Sequence, residues 1–193
     1  SELYNYLLQH HKTAFVNAKD AIQLEKTANI NRVLFKKDIQ FLDANPFVRI
    51  NYQKTQIQTK LLGAYNFNNI AAAITIGAYF GVEQTAIKNA IENYTPTNNR
   101  SQVIKTAKNT IILDAYNANP TSMQVALESF NNLDADKKIL VLGDMFELGA
   151  DSLKEHQNIV NTVEKLGFKQ AIFLGNHFAK ATTGKLQFIT FEE

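Results

Sequence analysis

The chain has no cysteine and no tryptophan, and only three prolines and two methionines in 193 residues. Without cysteine there is no disulfide scaffold, no thiolate nucleophile, no thiolate-bound zinc and no iron–sulfur cluster. The absence fits a reducing compartment. With four histidines and no cysteine, a dedicated transition-metal cage is not expected. Neither sign of charge dominates: 20 basic residues face 18 acidic ones. No Lys/Arg block runs along the chain, so a nucleic-acid footprint is not supported. Long apolar runs are also missing. The longest, Ile70 to Val82, is shorter than the ~20 residues a bilayer span needs. No charged segment followed by an apolar one opens the chain as a signal peptide would.

What is present is an ordinary globular balance, 45% hydrophobic and 20% charged, with enough apolar material for a core. The length suits one large domain or two small ones, at about 100–200 residues each. The chain opens Ser1-Glu2-Leu3, without an initiator Met, into a polar helix-like segment. It therefore reads as a piece of something longer.

Strands are expected at 13–17, 32–35, 47–52 and 56–62, with a short helix over 20–28 that begins near Asp20. The period then changes. Residues 66–80 are helical and rich in small side chains, and 83–94 form a second helix with Ala86, Ile87, Ala90 and Ile91 on one face. Thr95-Pro96-Thr97-Asn98-Asn99 is the clearest linker, since Pro, Thr and Asn do not readily continue a helix. A domain boundary is placed there. Beyond it come strands at 102–106 and 110–113 joined by a hairpin turn, and a helix over 120–133 with Met123, Ala126, Leu127 and Phe130 inward. A buried strand follows at 138–142, then a helix over 152–166 opened by a Ser152/Glu155 capping box. Further strands are expected at 171–174 and 186–190. Strand–helix alternation of this kind argues for a parallel sheet covered on both faces. Ligands of such sheets sit at the carboxyl ends of the strands.

Three loops at such ends carry chemistry. In Gly63-Ala64-Tyr65-Asn66-Phe67-Asn68-Asn69, Asn66 and Asn69 share one side of a first helical turn. Two carboxamides, each donor and acceptor, can read a purine edge; the plainer reading makes Asn66 an N-cap. In Asp114-Ala115-Tyr116-Asn117-Ala118-Asn119-Pro120-Thr121-Ser122-Met123, Asn119 suits the N-cap and Pro120 the first helical position. That explains neither Asp114, whose carboxylate can accept from sugar hydroxyls, nor Tyr116 and Asn117. In Gly143-Asp144-Met145-Phe146-Glu147-Leu148-Gly149, Asp144 and Glu147 can hold a cation or a basic partner, or simply be solvated. Arg100, after the linker, can fork onto phosphate oxygens or brace the linker. His156 falls on the apolar stripe of its helix, where a hydrogen-bonded core histidine is the plainer reading. His10 and His11 read as surface residues. Thr182-Thr183-Gly184-Lys185 only hints at a phosphate-binding loop, because Ala179 stands where that motif needs glycine.

Together these stretches resemble the Mur ligases. The pattern G-x-[HY]-N-x-x-N is met by Gly63, Tyr65, Asn66 and Asn69, the post-linker arginine by Arg100, and two longer strings by 114–123 and 142–149. Sister ligases carry different residues in the D-x-Y-N-A-N-P slot, so that string is the more specific. The resemblance implies an α/β chain: residues 1–96 as the second half of a central ATP-binding domain, and 97–193 as a truncated, Rossmann-like carboxyl-terminal domain. It implies an ADP-forming acid–amino-acid ligase of peptidoglycan precursor synthesis, cytoplasmic, its parent a monomer. Such an enzyme turns a carboxylate of UDP-N-acetylmuramoyl-tripeptide into an acyl phosphate at the expense of ATP, and the amine of D-Ala-D-Ala attacks it. By the same resemblance Asn66 and Asn69 face adenine, Arg100 the phosphates and Asp114 the ribose. Tyr116, Asn117, Asn119 and Ser122 line the substrate cleft, and Arg100 and His156 serve catalysis. The family's phosphate-binding loop, magnesium ligands, modified lysine and amino-terminal domain are not in this sequence. The chain alone is therefore expected to be inactive, with Mg2+ held by residues upstream. The alternatives are a sister Mur or folylpolyglutamate-type ligase, or a non-catalytic nucleotide- or partner-binding module.

Overall fold

A computed structural model describes residues 2–182 and the backbone of 187–188. The chain forms two units, Ser1–Thr95 and Pro96–Glu193.

The first unit begins with helix α1 (Glu2–Gln9), strand β1 (Ala14–Asn17), helix α2 (Ala21–Lys26) and strand β2 (Arg32–Phe35). β1 and β2 pair in parallel, Ala14 opposite Arg32. Asp20 caps α2 by accepting the N–H of Gln23. Ala14, Val16 and Ile30 make a small core that Tyr4, Leu7 and Leu24 cover. Then come β3 (Ile39–Ala44), β4 (Phe47–Tyr52) and β5 (Thr55–Leu62), an antiparallel meander in the order β3-β4-β5. Alternation in β4 buries Val48, Ile50 and Tyr52, as period two requires. β3 is a strand that the sequence pattern does not show. Its register shifts between Phe41 and Asp43, and such a bulge breaks the alternation that pattern reading depends on.

Helices α3 (Asn66–Tyr79) and α4 (Gln84–Asn93) close this unit. Ile70, Ala71 and Ile74 of α3 and Ile87 of α4 join the sheet's core. Ala71 is fully buried, so its small side chain permits the close approach. Of the four residues on one face of α4, Ile87 and partly buried Ile91 pack on the core, while Ala86 and Ala90 are exposed.

The second unit opens with the hairpin β6 (Gln102–Lys105) and β7 (Thr110–Leu113), antiparallel with Gln102 opposite Leu113. It continues through α5 (Pro120–Asn131), β8 (Leu140–Gly143), α6 (Ser152–Lys165), β9 (Ala171–Leu174), α7 (Asn176–Ala181) and β10 (Gln187–Phe188). β8, β9 and β10 form a parallel sheet in the order β10-β9-β8. Of the strand expected at 186–190, the remaining residues lie outside the described ones. On one face Leu140, Ala171 and Phe173 pack with Leu127, Ile159, Val160, Val163 and Phe178. On the other, Ile139 and Val141 stay 55% and 60% exposed. Among the described residues that second face is uncovered, where cover on both faces is expected, and α5 and α6 share a single core with the first. The Ser152/Glu155 capping box also does not form. Asp151 takes the N-cap position, and the Ser152 hydroxyl turns to the rings of His156 and His177. No helix among the described residues is long and apolar enough to cross a membrane.

Candidate nucleotide and substrate loops

In the first unit, the turn from β5 into α3 carries Asn66 and Asn69. Asn66 is only 7% exposed. Its Nδ2 donates to the carbonyl of Leu62 at 2.7 Å, and its Oδ1 accepts from Asn69 Nδ2 at 3.1 Å. Tyr65, not Asn66, occupies the N-cap position. The pair thus has a division of labour: Asn66 ties the helix to the end of β5 and orients Asn69, whose side chain is exposed. Lys36, which sequence reading passes over, lies with Nζ 5.4 Å from the centroid of Phe67 in the same helical turn. Burial lowers its pKa below the ordinary lysine range, and neighbouring Lys19 lowers it further. The concavity lined by Val33, Lys36, Tyr52, Gln53, Thr75 and Tyr79 contains none of the candidate residues.

In the second unit, the linker's end and the loop after β7 are fastened together. Ala115 N–H donates to Asn99 carbonyl at 2.8 Å, and Ser101 N–H donates to Asp114 Oδ1 at 3.1 Å. Asn99 and Ser101 are both left-handed, with φ of 57° and 50°. Arg100 stands between them, and its guanidinium carbon lies 3.9 Å from the centroid of the Tyr116 ring, a cation–π contact. Arg100, Tyr116 and Asn117 are all exposed. The structure therefore brings Arg100, Asp114 and Tyr116 into one cluster at the carboxyl end of β7. Asn119 caps α5: its Oδ1 accepts from Ser122 N–H, while Ser122 Oγ accepts from Asn119 N–H. Asn119 and Ser122 spend these groups on the helix terminus. Asn99 and Ser101 flank Arg100 in left-handed backbone, a pairing that sequence reading does not show.

The loop after β8 is held from within. Asp144 accepts the N–H of His177 through Oδ2 and of Phe178 through Oδ1, both at 2.9 Å. His156 is fully buried. Its Nε2 accepts the N–H of Met145 at 3.0 Å, so the proton sits on Nδ1, which donates to Ser152 carbonyl at 2.7 Å. Both ring nitrogens are thus occupied by backbone, and the ring packs on His177 and Phe178. Among the described residues no group of three or more metal-ligating side chains occurs. Sequence reading misses Gly175 and His177 here, because each stands more than thirty positions from Asp144.

Residues 99–187, which carry Arg100, Asp114, Tyr116 and the loop after β8, match the family described as Mur ligase, glutamate ligase domain. Within that family the chain is similar to enzymes that add a dipeptide. It is 34% identical, over 69% of its length and 29% of the relative's, to the UDP-N-acetylmuramoyl-tripeptide–D-alanyl-D-alanine ligase of Treponema pallidum (strain Nichols). It is 45% identical, over 46% of its length and 20% of the relative's, to the Bacillus subtilis (strain 168) ligase of the same name. In fold it is similar to the MurF ligase from Thermotoga maritima in complex with ADP, with a TM-score of 0.75 and 19% identity over 94% of this chain and 44% of that one. The chain thus spans less than a third of those two curated relatives and under half of the solved ligase.

Proposed function

We propose that this chain is the part of a dipeptide-adding ligase that binds the nucleotide and the incoming amine. The parent enzyme joins D-Ala-D-Ala to UDP-N-acetylmuramoyl-tripeptide in the cytoplasm. The tripeptide carboxylate becomes an acyl phosphate as ATP becomes ADP. The dipeptide amine then forms the amide bond while the carbon–oxygen bond to phosphate breaks.

The observation that carries this reading is the fastened turn around Arg100. A guanidinium stacked on Tyr116 is pre-oriented, so less side-chain freedom is lost when it meets a phosphate. Asp114 keeps the turn in place through Ser101 N–H and stands where a ribose hydroxyl can donate to it. Asn69, oriented by Asn66, presents a carboxamide suited to an adenine edge. Within the second unit, the Arg100 and Asp114 cluster suits the phosphate and ribose of a nucleotide. Mg2+ would neutralise phosphate charge in such an enzyme, but no group of three or more metal-ligating side chains among the described residues fits it. The reading leaves no acid–base role for His156, whose nitrogens are both engaged.

The test is phosphate release by the whole natural protein that carries this chain, given ATP, UDP-N-acetylmuramoyl-tripeptide and an amine. Turnover is expected with D-Ala-D-Ala and not with single amino acids or glutamate. Turnover only with glutamate would make it a sister ligase. Activity of the 193-residue chain alone would overturn the expectation that this chain is inactive by itself.

A further inference from the structure

The concavity of the first unit collects polar groups that neither the fold nor the nucleotide loops use. It holds about 280 Å3. It lies where the turn from β2 to β3, the hairpin turn from β4 to β5 and the second half of α3 come together. Tyr52 in its lining is 7% exposed and belongs to the sheet's core, yet its hydroxyl engages no protein group among the described residues. A polar side chain buried that far normally has a partner. Lys36 and Lys37 form another wall, and neither makes an ion pair among the described residues. Burial, and then the charge of Lys19, hold the Lys36 pKa below the ordinary lysine range, as for an ammonium without a counter-charge. Lys36 is left-handed, with φ +69°. The N–H groups of the next two residues, Lys37 and Asp38, donate to no protein group among the described residues. Successive free N–H groups in such a turn make a cradle for an anion. Asp38 is the single acid in the lining and is exposed, so the two lysines outweigh it.

We propose that this concavity binds a small organic oxyanion, a carboxylate or phosphate carried on a compact apolar body. Lys36 neutralises its charge. The Tyr52 hydroxyl and the N–H groups of Lys37 and Asp38 donate to its oxygens, and Val33, Leu34 and Ala78 in the same lining meet its body. Lysine serves here as a point charge, and donors to an ionised acceptor make the stronger hydrogen bonds. The site is separate from the face of α3 assigned above to adenine. Ala78 stands about half a turn around α3 from Asn69 and about 13 Å further along it.

The test is calorimetric titration of the whole natural protein that carries this chain, with benzoate, inorganic phosphate and benzyl alcohol as probes. Benzoate joins an oxyanion to an apolar body, and the other two supply one part each. Benzoate is expected to bind saturably and more tightly than either. Tyr52→Phe and Lys36→Met are each expected to weaken it about tenfold, the loss of one charge-assisted contact. Both variants keep the apolar bulk of the side chain, and the Tyr52 hydroxyl has no protein partner to lose. Their melting temperatures without ligand should therefore not fall, which separates a binding role from a structural one. Saturating ADP should leave benzoate affinity unchanged. No saturable benzoate binding, equal binding of benzyl alcohol, or unchanged affinity in both variants overturns the proposal. Displacement of benzoate by ADP overturns it too, because the anion would then belong to the nucleotide. The ligase reading is decided by turnover and does not depend on any of these results.

Discussion

The imidazole of His156 accepts the backbone N–H of Met145 at 3.0 Å, which joins the middle of α6 to the loop after β8. The bond sits in a fully buried ring and fixes the neutral Nδ1-H tautomer through the second bond to Ser152 carbonyl. The histidine is a clamp on backbone, placed where a catalytic residue would otherwise be sought.

Replacing it should be costly to the fold. His156→Ala leaves a buried N–H without a partner and a cavity beneath Phe178, at about 2–4 kcal/mol. His156→Gln, which retains an acceptor, should cost less. Urea denaturation of the chain checks the order, and 15N chemical shifts of the imidazole should show the proton on Nδ1. Lost turnover at unchanged stability would return His156 to catalysis.

Gly175 gives a second test. It adopts φ +108°, and a Cβ there would stand 2.3 Å from the Asp144 carboxyl carbon. Gly175→Ala should therefore destabilise by about 2 kcal/mol or more. Asp144→Ala alone loses two hydrogen bonds at the start of α7, at about 1–2 kcal/mol. The double variant should be more stable than the sum of the two predicts, because the clash disappears with the carboxylate. Strict additivity of the urea midpoints would contradict this account.

Asn66 and Asn69 should separate when each is truncated. Asn66→Ala removes the donor to the carbonyl of Leu62, a residue only 7% exposed, and should lower stability by about 1–3 kcal/mol. Asn69→Ala should leave the melting temperature nearly unchanged. In the whole natural protein, on the function proposed above, it should raise the KM for ATP. Equal thermal losses in both variants would deny the division of labour.

Glu92 offers a pH-dependent prediction in the first unit. Its carboxylate accepts from Lys88 and from the N–H of Gln58, linking α4 to β5. The Lys88 bond holds its pKa below the usual glutamate range, with the Gln58 N–H contributing, against an opposing effect of burial. A depressed acid stabilises the fold above its unfolded pKa, and that contribution fades as pH falls through the folded value. Glu92→Gln should therefore cost about 0.5 kcal/mol near pH 7. The difference should shrink toward zero below pH 4. A difference that grew in acid would reverse the sign.

Much of the fold is legible in residue pattern. β2, β4 and β9 coincide with their expected ranges because each is bounded by turn residues and filled with β-formers. The Asn119–Pro120 start of α5 is legible for the same local reason. β3 is not, since its bulge breaks the alternation. α7 is not, since its cap comes from Asp144, far away in sequence. Among the candidate residues, the motif strings single out Arg100, Asp114 and Tyr116. Nothing local distinguishes Asp144, whose carboxylate is consumed, from Glu147, whose carboxylate is open.

What the sequence by itself determined is the set of local decisions: where helices start, which faces are apolar, and which loops collect Asn, Asp, Tyr and Arg. Those follow from periodicity and capping, which act within a few residues. Only the tertiary structure decided what those polar groups do. A side chain's hydrogen-bonding capacity is finite, and partners such as Gly175, His177 and Phe178 reach Asp144 only once β8 and β9 lie side by side. Pairing of those strands turned one acidic residue of the loop into a cap and left the other facing solvent.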